Sequence, residues 1–587
     1  MSADFNQLDN FFTSSPRKKN PRGFWFPSKE QLSYLPKVLS ARERYTVVAL
    51  VVLALVSLVM IPVAAYYGAT NQAPAHGGSV TEGMIGAPQH INPLLLQAND
   101  VDSDLANIIY AGLLRYDAQG NLAPDLAGSY EVSDDGLKYT FTLRENLLWH
   151  DGNALTVEDV IFTILTAQNG DYGSTQRINW QGVEITKKDE TKIVFTLKNR
   201  YAQFLNNATL GILPKHKWEL VKPANFAISS LNLEPIGAGP YKVDKLRRDN
   251  NGMIQSMELS AFENYGSGNP YIKKLTFKFY DSEQKALDAY EQGEVEGVSF
   301  VSSQNIDDIN LNDEDDVHNF KLPRYFALFF NQNKSKALSE ALVRKALNHA
   351  TDKTEILATT LSGHGTIVDS PLLPGIINIP DQGAAYPFDK EKASQLLDQG
   401  GWKVDPAKNN VRSNKDGTQL ELEITTSSWP ELLLVAEAIK KQWENLGIVV
   451  TIKTLSIPEI QQAIKDRNYT MLLFGEVLGL DPDPFSFWHS TQKRDPGLNL
   501  ALYDNKDADG LLDEARQTLD IEKRRSLYDQ FQKIVVADAP VVFLYSPDYL
   551  YLQPTKIKNN IAEIIAVPSN RFDTVHEWYI DTKRVKE

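Results

Sequence analysis

"PDLAGSYEVSDDGLKYTFTLRENLLWHDGNALTVEDVIFTI", Pro124 to Ile164, changes its hydrophobic period partway along. Tyr130 and Val132 alternate with polar neighbours, "SDDG" supplies turn residues, and Tyr139, Phe141 and Leu143 alternate again. A period of two on both sides of a turn predicts an antiparallel hairpin with one buried face. A second turn, "HDGN", leads into "TVEDVIFTI", where Thr156 stands at the N-cap and Asp159 at the third helical position of a capping box. Strand signals that pass directly into a helix signal indicate a mixed α/β chain.

The units that follow keep this alternation. "YIKKLTFKFY" reads as a strand, "SEQKALDAYEQGEVEGV" as a helix ended by Gly293, and "RYFALFFNQN" as an apolar strand. In "SEALVRKALNHATDKTEIL" the residues Leu342, Val343, Ala346, Leu347 and Ala350 share one helical face. "PELLLVAEAIKKQWENLGI" opens with Pro430 in the first turn, closes with Gly447, and feeds the strand "IVVTIKTL". No internal repeat or low-complexity tract interrupts the series. A chain of 587 residues exceeds what one hydrophobic core supports, so two or three lobes are expected.

Charge is distributed unevenly. Residues 1–44 carry eight Lys or Arg against four Asp or Glu, in a chain whose formal charge is −15. The body is therefore acidic and without a basic stripe, which excludes nucleic acid as the natural partner. The chain has no cysteine, which removes disulfides, thiolate metal sites, cysteine nucleophiles and a lipid-modified cysteine.

Between these regions, Tyr45 to Tyr67 reads "YTVVALVVLALVSLVMIPVAAYY", 23 residues without a charge. At about 1.5 Å per residue this spans a ~30 Å hydrocarbon core, and the tyrosines at its ends suit the interfacial belts. The basic N-terminal flank places residues 1–44 in the cytoplasm and the acidic body outside the cell membrane, held by a single pass. The competing reading is a cleaved signal peptide, for which "APA" at Ala73 to Ala75 would serve as a cleavage site. Against it stand the long basic lead and an apolar run beyond the usual length of about 7–15 residues. Residues 68–79, small, polar and Gly/Pro-bearing, read as a flexible tether.

Signals for catalysis are sparse. HExxH, a P-loop, GxSxG and GxGxxG are all missing. The nine histidines form no close pair that a metal would need, and no cofactor or metal is expected. "NKDADGLLDEAR" starts like a calcium loop, but its twelfth position is Arg516 where the loop requires glutamate, so an acidic helix entry is the reading. "GLDPDPFSFWHS", Gly479 to Ser490, places Asp481 and Asp483 two residues apart, each before a proline. In an extended backbone both carboxylates share a face. Such a pair could serve as a glycosidase dyad, but the members of those dyads usually come from separate elements, and the favoured reading is a turn that positions Phe485, Phe487 and Trp488 beside a cleft.

The opening stretch, together with "PIGAGPYKV" (Pro235 to Val243), "NQNKSKALSEALVRKALNHATDK" (Asn331 to Lys353), "YPFDKEKASQLLDQGGW" (Tyr386 to Trp402) and "NLALYDNKDADGLLDEA" (Asn499 to Ala515), resembles the family 5 solute-binding proteins of ABC importers, the oligopeptide and dipeptide receptor type. The resemblance runs in order from about Val80 to the C-terminus. It implies an α/β, two-lobed periplasmic-binding-protein-like fold with a hinge and an extra subdomain in the first lobe, here preceded by one transmembrane helix. The first lobe would take residues of about 80–320 and 530–587, with the subdomain at about 121–220, and the second about 321–529. It further implies a binding protein, not an enzyme, that acts as a monomer and delivers an oligopeptide or similar solute to ABC permease subunits. A surface receptor or sensor of the same fold is the alternative, with an extracellular glycosidase more distant.

Three departures from the family's pattern stand out. The lipoprotein cysteine is absent and the helix would replace it as anchor; Asn146 occupies a turn position that commonly holds glycine; Ala238 replaces a frequent threonine. The candidate cleft residues are Phe330, Asn331 and Gln332 after the apolar strand, Trp429, Phe474, Glu476, Asp481, Asp483 and Trp488. In dipeptide receptors of this kind an aspartate three residues before the "DP" pair holds the ligand's ammonium. Here that position is Leu478, so either Glu476 takes the role or the ligand has no free amine there.

Overall fold

The computed structural model describes residues 29–586 except 97–98, 307–308, 310–314, 377–378, 380–382 and 384. Arg17, Lys18, Lys19 and Arg22, half of the basic N-terminal segment, lie outside the described residues. The chain divides into two compact units, Met1–Ala73 with Lys583–Glu587, and Pro74–Thr582.

In the first unit the apolar run becomes the helix Ala41–Gly68. Ser40 starts it with a capping box: its N–H and hydroxyl both donate to the Glu43 carboxylate, at 2.9 and 2.8 Å, which satisfies donors that a helix start leaves bare. None of its residues is buried, and its length and composition suit a membrane span. The next residues differ from the tether that their composition predicts. Thr70–Pro74 is a strand paired with Thr582–Lys586, and Arg584 donates to the Thr70 carbonyl at 2.9 Å while lying 3.9 Å from the Tyr67 ring. Backbone pairing with a distant segment overrides local flexibility here. In the second unit the same stretch continues in order, with His76 stacked on Tyr271 at 4.8 Å and the Gly77 N–H bonded to the Tyr271 carbonyl at 2.8 Å.

The second unit is built on a 12-stranded mixed sheet. Its order runs Val449–Leu455, Glu421–Ser427, Met471–Val477, Arg324–Phe330, Val541–Pro554, Gly297–Val301, Ser79–Ile85, Lys274–Tyr280, Ile254–Ala261 and Tyr241–Arg248, with Asp315–Lys321 and Gly365–Ile367 also paired to Val541–Pro554. One hydrophobic core collects residues from Val80 to Phe279 and returns at Tyr549 to Trp578. Two more lie on opposite faces of the strands between Tyr325 and Tyr545. The chain passes between the first core and the other two near Leu322–Tyr325 and Tyr545–Tyr549, and the parts built on them are the first and second lobes below. The helix Ile521–Asp538, which a boundary at 530 would cut, packs as one piece in the second lobe through Leu527, Tyr528, Phe531 and Val535.

The hairpin read from the opening stretch is Ala127–Val132 paired with Lys138–Leu143, extended by Lys192–Thr196 and Glu184–Lys187 into a four-stranded antiparallel sheet. Thr156 and Asp159 form the expected capping box of helix Val157–Gln168. Asn146 keeps its turn by adopting φ +56°, a left-handed conformation that asparagine reaches more readily than other side-chain-bearing residues. The first glycine of "GAGP" is required for space, since a Cβ on Gly237 would fall 1.9 Å from the Ile109 carbonyl oxygen.

The strand Arg324–Phe330 explains its own composition. Phe326, Leu328 and Phe330 enter the core on one face, while Tyr325, Ala327 and Phe329 enter the core on the other, so a continuous apolar run is required. Phe330 is thus a core residue with no exposed surface, not the cleft residue that its place beside Asn331 suggested. Phe330→Ala should cost about 3–5 kcal/mol of stability in denaturant unfolding. A loss of ligand affinity with unchanged stability would instead return Phe330 to the cleft.

Candidate ligand-binding cleft

In sheets of this kind, ligands bind beyond the carboxyl ends of parallel strands. Glu421–Ser427 and Met471–Val477 run parallel in the second lobe, as do Ser79–Ile85, Lys274–Tyr280 and Gly297–Val301 in the first. Two cavities lie at these ends. One, of about 230 Å³, is walled by Trp429 and Glu431 after strand Glu421–Ser427, by Arg324 and His364, and by Glu283 and Phe300 from the first lobe. The other, of about 450 Å³, is walled by Tyr116, Asn121 and Tyr130 of the first lobe and by Leu480, Asp481 and Arg524 of the second. A third cavity of about 390 Å³ within the first lobe shares Tyr116 and Asn206 with the second.

Trp429 is held at its cavity by local sequence. It N-caps helix Pro430–Glu444, whose proline at the first position fixes the entry, and its ring meets Phe326 edge-on at 5.6 Å. It remains 41% exposed, which is unusual for a tryptophan that could be buried and suits an apolar wall for a ligand.

The "DPDP" segment is a brace. Both oxygens of Asp481 accept from Arg524 Nη2 at 2.9 Å, and Asp483 pairs with Arg516 at 2.9 Å. Between them the Pro482 carbonyl accepts from Gln203 of the subdomain at 3.1 Å and from the Tyr528 hydroxyl at 3.0 Å. The Arg516 guanidinium lies 4.4 Å from the Phe485 ring centre and 5.2 Å from that of Tyr201. Each carboxylate is therefore committed to an arginine, and neither stands as a free general acid or base. Asp481 still borders the larger cavity, whereas Asp483 lines none of the three.

The other candidates fall away from the cleft. Trp488 is 1% exposed and packs against Tyr503, Phe531 and Phe543, so it offers a ligand no face. Asn331 holds a turn: its amide donates to the carbonyls of Arg467 and Tyr469 at 3.1 and 3.0 Å. Gln332 and Phe474 are half-buried and line none of the three cavities, and Phe474 packs on the second-lobe core. Leu478, at the position of the ammonium-binding aspartate, is core.

Glu476 cannot replace that aspartate. It is 2% exposed, opposite Tyr325 in the strand pair, and accepts the Tyr325 hydroxyl at 2.5 Å. Burial pushes its carboxyl up to about 8, so at neutral pH it is an uncharged acid with no attraction for an ammonium. Sequence reasoning passed over Arg324, His364, Glu431, Tyr116, Tyr130 and Arg524. For Arg324 a signal existed, a lone charge at the head of an otherwise apolar strand; Arg524 pairs with Asp481 across 43 positions, which spacing does not reveal.

An unfolded glutamate ionises near ~4.3, while folded Glu476 keeps its proton to about 8. Stability therefore falls as pH rises between the two values and levels off above the higher one. Glu476→Gln, which preserves the bond to Tyr325, should match wild type near about pH 4 and melt higher near about pH 8. A difference in melting temperature that does not vary with pH would show that Glu476 is ionised in the fold.

The family described as "Bacterial extracellular solute-binding proteins, family 5 Middle" matches residues 121–540. The oligopeptide-binding protein AppA of Bacillus subtilis is 26% identical over 524 residues, 86% of this chain and 92% of that protein. The dipeptide-binding protein of Escherichia coli is 25% identical over 488 residues, 78% of this chain and 87% of its own length. Among solved structures, AppA of Bacillus subtilis in complex with a nonapeptide superimposes with a TM-score of 0.67 at 25% identity, covering 87% of this chain and all of that one. The ABC transporter substrate-binding protein CtaP of Listeria monocytogenes gives a TM-score of 0.74 at 26% identity, covering 86% and 99%. The chain belongs to family 5 of the bacterial extracellular solute-binding proteins, which are binding proteins and not enzymes.

Proposed function

We propose that this chain is the membrane-anchored receptor of an ABC importer, capturing oligopeptides outside the cell and handing them to the permease. The observation that carries the reading is the set of cavities of about 230 and 450 Å³ between the lobes, each at the carboxyl ends of parallel strands and each walled by both lobes. Aromatic walls (Trp429, Tyr116, Tyr130) and scattered polar groups suit a flexible ligand of varied side chains. The peptide complex of AppA, at 25% identity over nearly the whole solute-binding unit, supports the ligand class.

Retention through the helix Ala41–Gly68 is supported by the uncharged run Tyr45 to Tyr67 within it and by the basic residues at and before its start. The acidic unit then stands outside as a monomer and engages the permease when its lobes close. Closure is a shift between open and closed populations, driven by ligand that touches both lobes. Contacts such as Gln203 to Pro482 are of the kind that such a closed state would gather.

Protease added to intact cells should remove the acidic unit and leave a small membrane-held fragment; a mature protein beginning near His76 would mean the helix is cleaved. Binding of hexapeptides to the full chain should change tryptophan fluorescence. Trp429→Ala should abolish most of the change and weaken binding by about tenfold, the scale of a ~1.4 kcal/mol contact. Unaltered affinity in that variant would place the ligand elsewhere.

A further inference from the structure

The strand that returns to the end of the apolar helix is basic. The helix Ala41–Gly68 finishes with Tyr66 and Tyr67, both more than half exposed and edge-on to each other at 5.9 Å. Just beyond it Thr70–Pro74 pairs with Thr582–Lys586. That second strand reads "TKRVK", three cations and no acid, in a chain whose formal charge is −15.

Arg584 fixes the level of these charges. Its Nη1 donates to the Thr70 carbonyl at 2.9 Å, the Thr70 hydroxyl at 3.0 Å and the Tyr67 carbonyl at 3.4 Å, and its guanidinium lies 3.9 Å from the Tyr67 ring centre. The Thr70 hydroxyl in turn donates to the Tyr66 carbonyl at 2.6 Å. The cation is thus tied to the last turn of the helix, where carbonyls lack partners of their own and positive charge complements the dipole. Strand side chains alternate, so Lys586 shares the face of Arg584 while Lys583 stands with Val585 on the other. Both lysines are exposed, and among the described residues neither ammonium has a hydrogen-bond or ion-pair partner. Exposed lysines are common on any surface. These two flank an arginine locked to the end of an uncharged run of 23 residues.

We propose that Lys583, Arg584 and Lys586 bind the headgroups of anionic phospholipids on the outer face of the membrane that Ala41–Gly68 spans. A headgroup layer of about 5–8 Å covers each side of the hydrocarbon, and tyrosines mark its inner boundary. Arg584, in contact with Tyr67, falls inside that layer, and the flexible stems of the lysines reach it from either face of the two-stranded ribbon. Phosphate oxygens accept from ammonium and guanidinium groups, and the attraction of an anionic surface grows with each cation. The ribbon reverses the sign of charge where an otherwise acidic polypeptide meets such a surface. An acidic face of a protein partner is the competing occupant. The membrane is favoured because the arginine is bonded to the helix itself, which carries the cluster to lipid whether or not a partner is present. The inference rests on the membrane-anchor reading above and adds the lipid chemistry that the outer end of the anchor recognises.

The chain has no cysteine, so a single introduced one takes a label cleanly. Val585→Cys, at a position 37% exposed on the ribbon, carries a fluorophore in the full chain, held in nanodiscs of phosphatidylcholine alone or of an equal mixture with phosphatidylglycerol. Both discs contain the same small fraction of lipid spin-labelled at the headgroup. Leu58→Cys, within the span, is labelled in parallel against lipid spin-labelled in the acyl chain. Quenching at Val585→Cys should be about twofold stronger in the anionic discs at low salt, and the excess should vanish near ~1 M salt, where the screening length is about 3 Å. Lys583→Gln with Lys586→Gln, both at exposed side chains without partners, should remove most of the excess; Lys583→Arg with Lys586→Arg should keep it. Equal quenching in the two discs, with Leu58→Cys still quenched, overturns the lipid site and leaves the anchor standing. An unquenched Leu58→Cys overturns both. An excess undiminished by the glutamine pair belongs to other cations of the chain, and one lost equally in the arginine pair does not depend on charge; either result overturns the site.

Discussion

The strand Val541–Pro554 is the constraint on which the second unit depends. A buried backbone must have every N–H and C=O paired, and all but one of this strand's fourteen residues are buried. It meets that requirement by using partners from both lobes: Arg324–Phe330 along Val541–Tyr545, and Gly297–Val301 with Asp315–Lys321 from Asp548 to Pro554. Asp548 is the one residue of the strand that is not fully buried, and it lies at the cavity. A single hydrogen-bonded strand thus ties the cores together, and a cavity lies beside the point where its partners change.

Charge follows a similar economy. Deep in the first lobe Arg571 bonds both oxygens of Asp104 at 2.7 Å and Glu82 at 3.0 Å, with the Tyr551 hydroxyl on the other Glu82 oxygen. Burial raises Asp104 to about 6 even against that arginine. This cluster joins strand Ser79–Ile85 and helix Asp100–Ile109 to a segment near the C-terminus, as Arg524 and Arg516 join the "DPDP" turn to two helices. Removing one partner of such a group leaves a buried charge bare, which is far costlier than never having had the pair.

What could be read beforehand was what is local. The hairpin at Tyr130 to Leu143, the capping box at Thr156 and the helix opening at Pro430 are encoded within a few residues, and the structure reproduces them. The cleft was less legible because its membership depends on which face of a strand is covered. Trp429 and Trp488 are equally apolar, yet one caps a helix at a cavity and the other faces Phe543 across a core. Glu476 looked like a substitute for a missing charge, but its alternation along the strand sets it opposite Tyr325 and inside the protein. Tertiary packing decides such cases, and a single sequence does not report it.

The strand pair Thr70–Pro74 with Thr582–Lys586 has a mechanical meaning. The chain leaves the apolar helix and, after winding through both lobes, comes back to the residues just past that helix, where Arg584 covers Tyr67. Load on the helix therefore enters the polypeptide by two routes, one covalent at the start of the acidic unit and one hydrogen-bonded at its end.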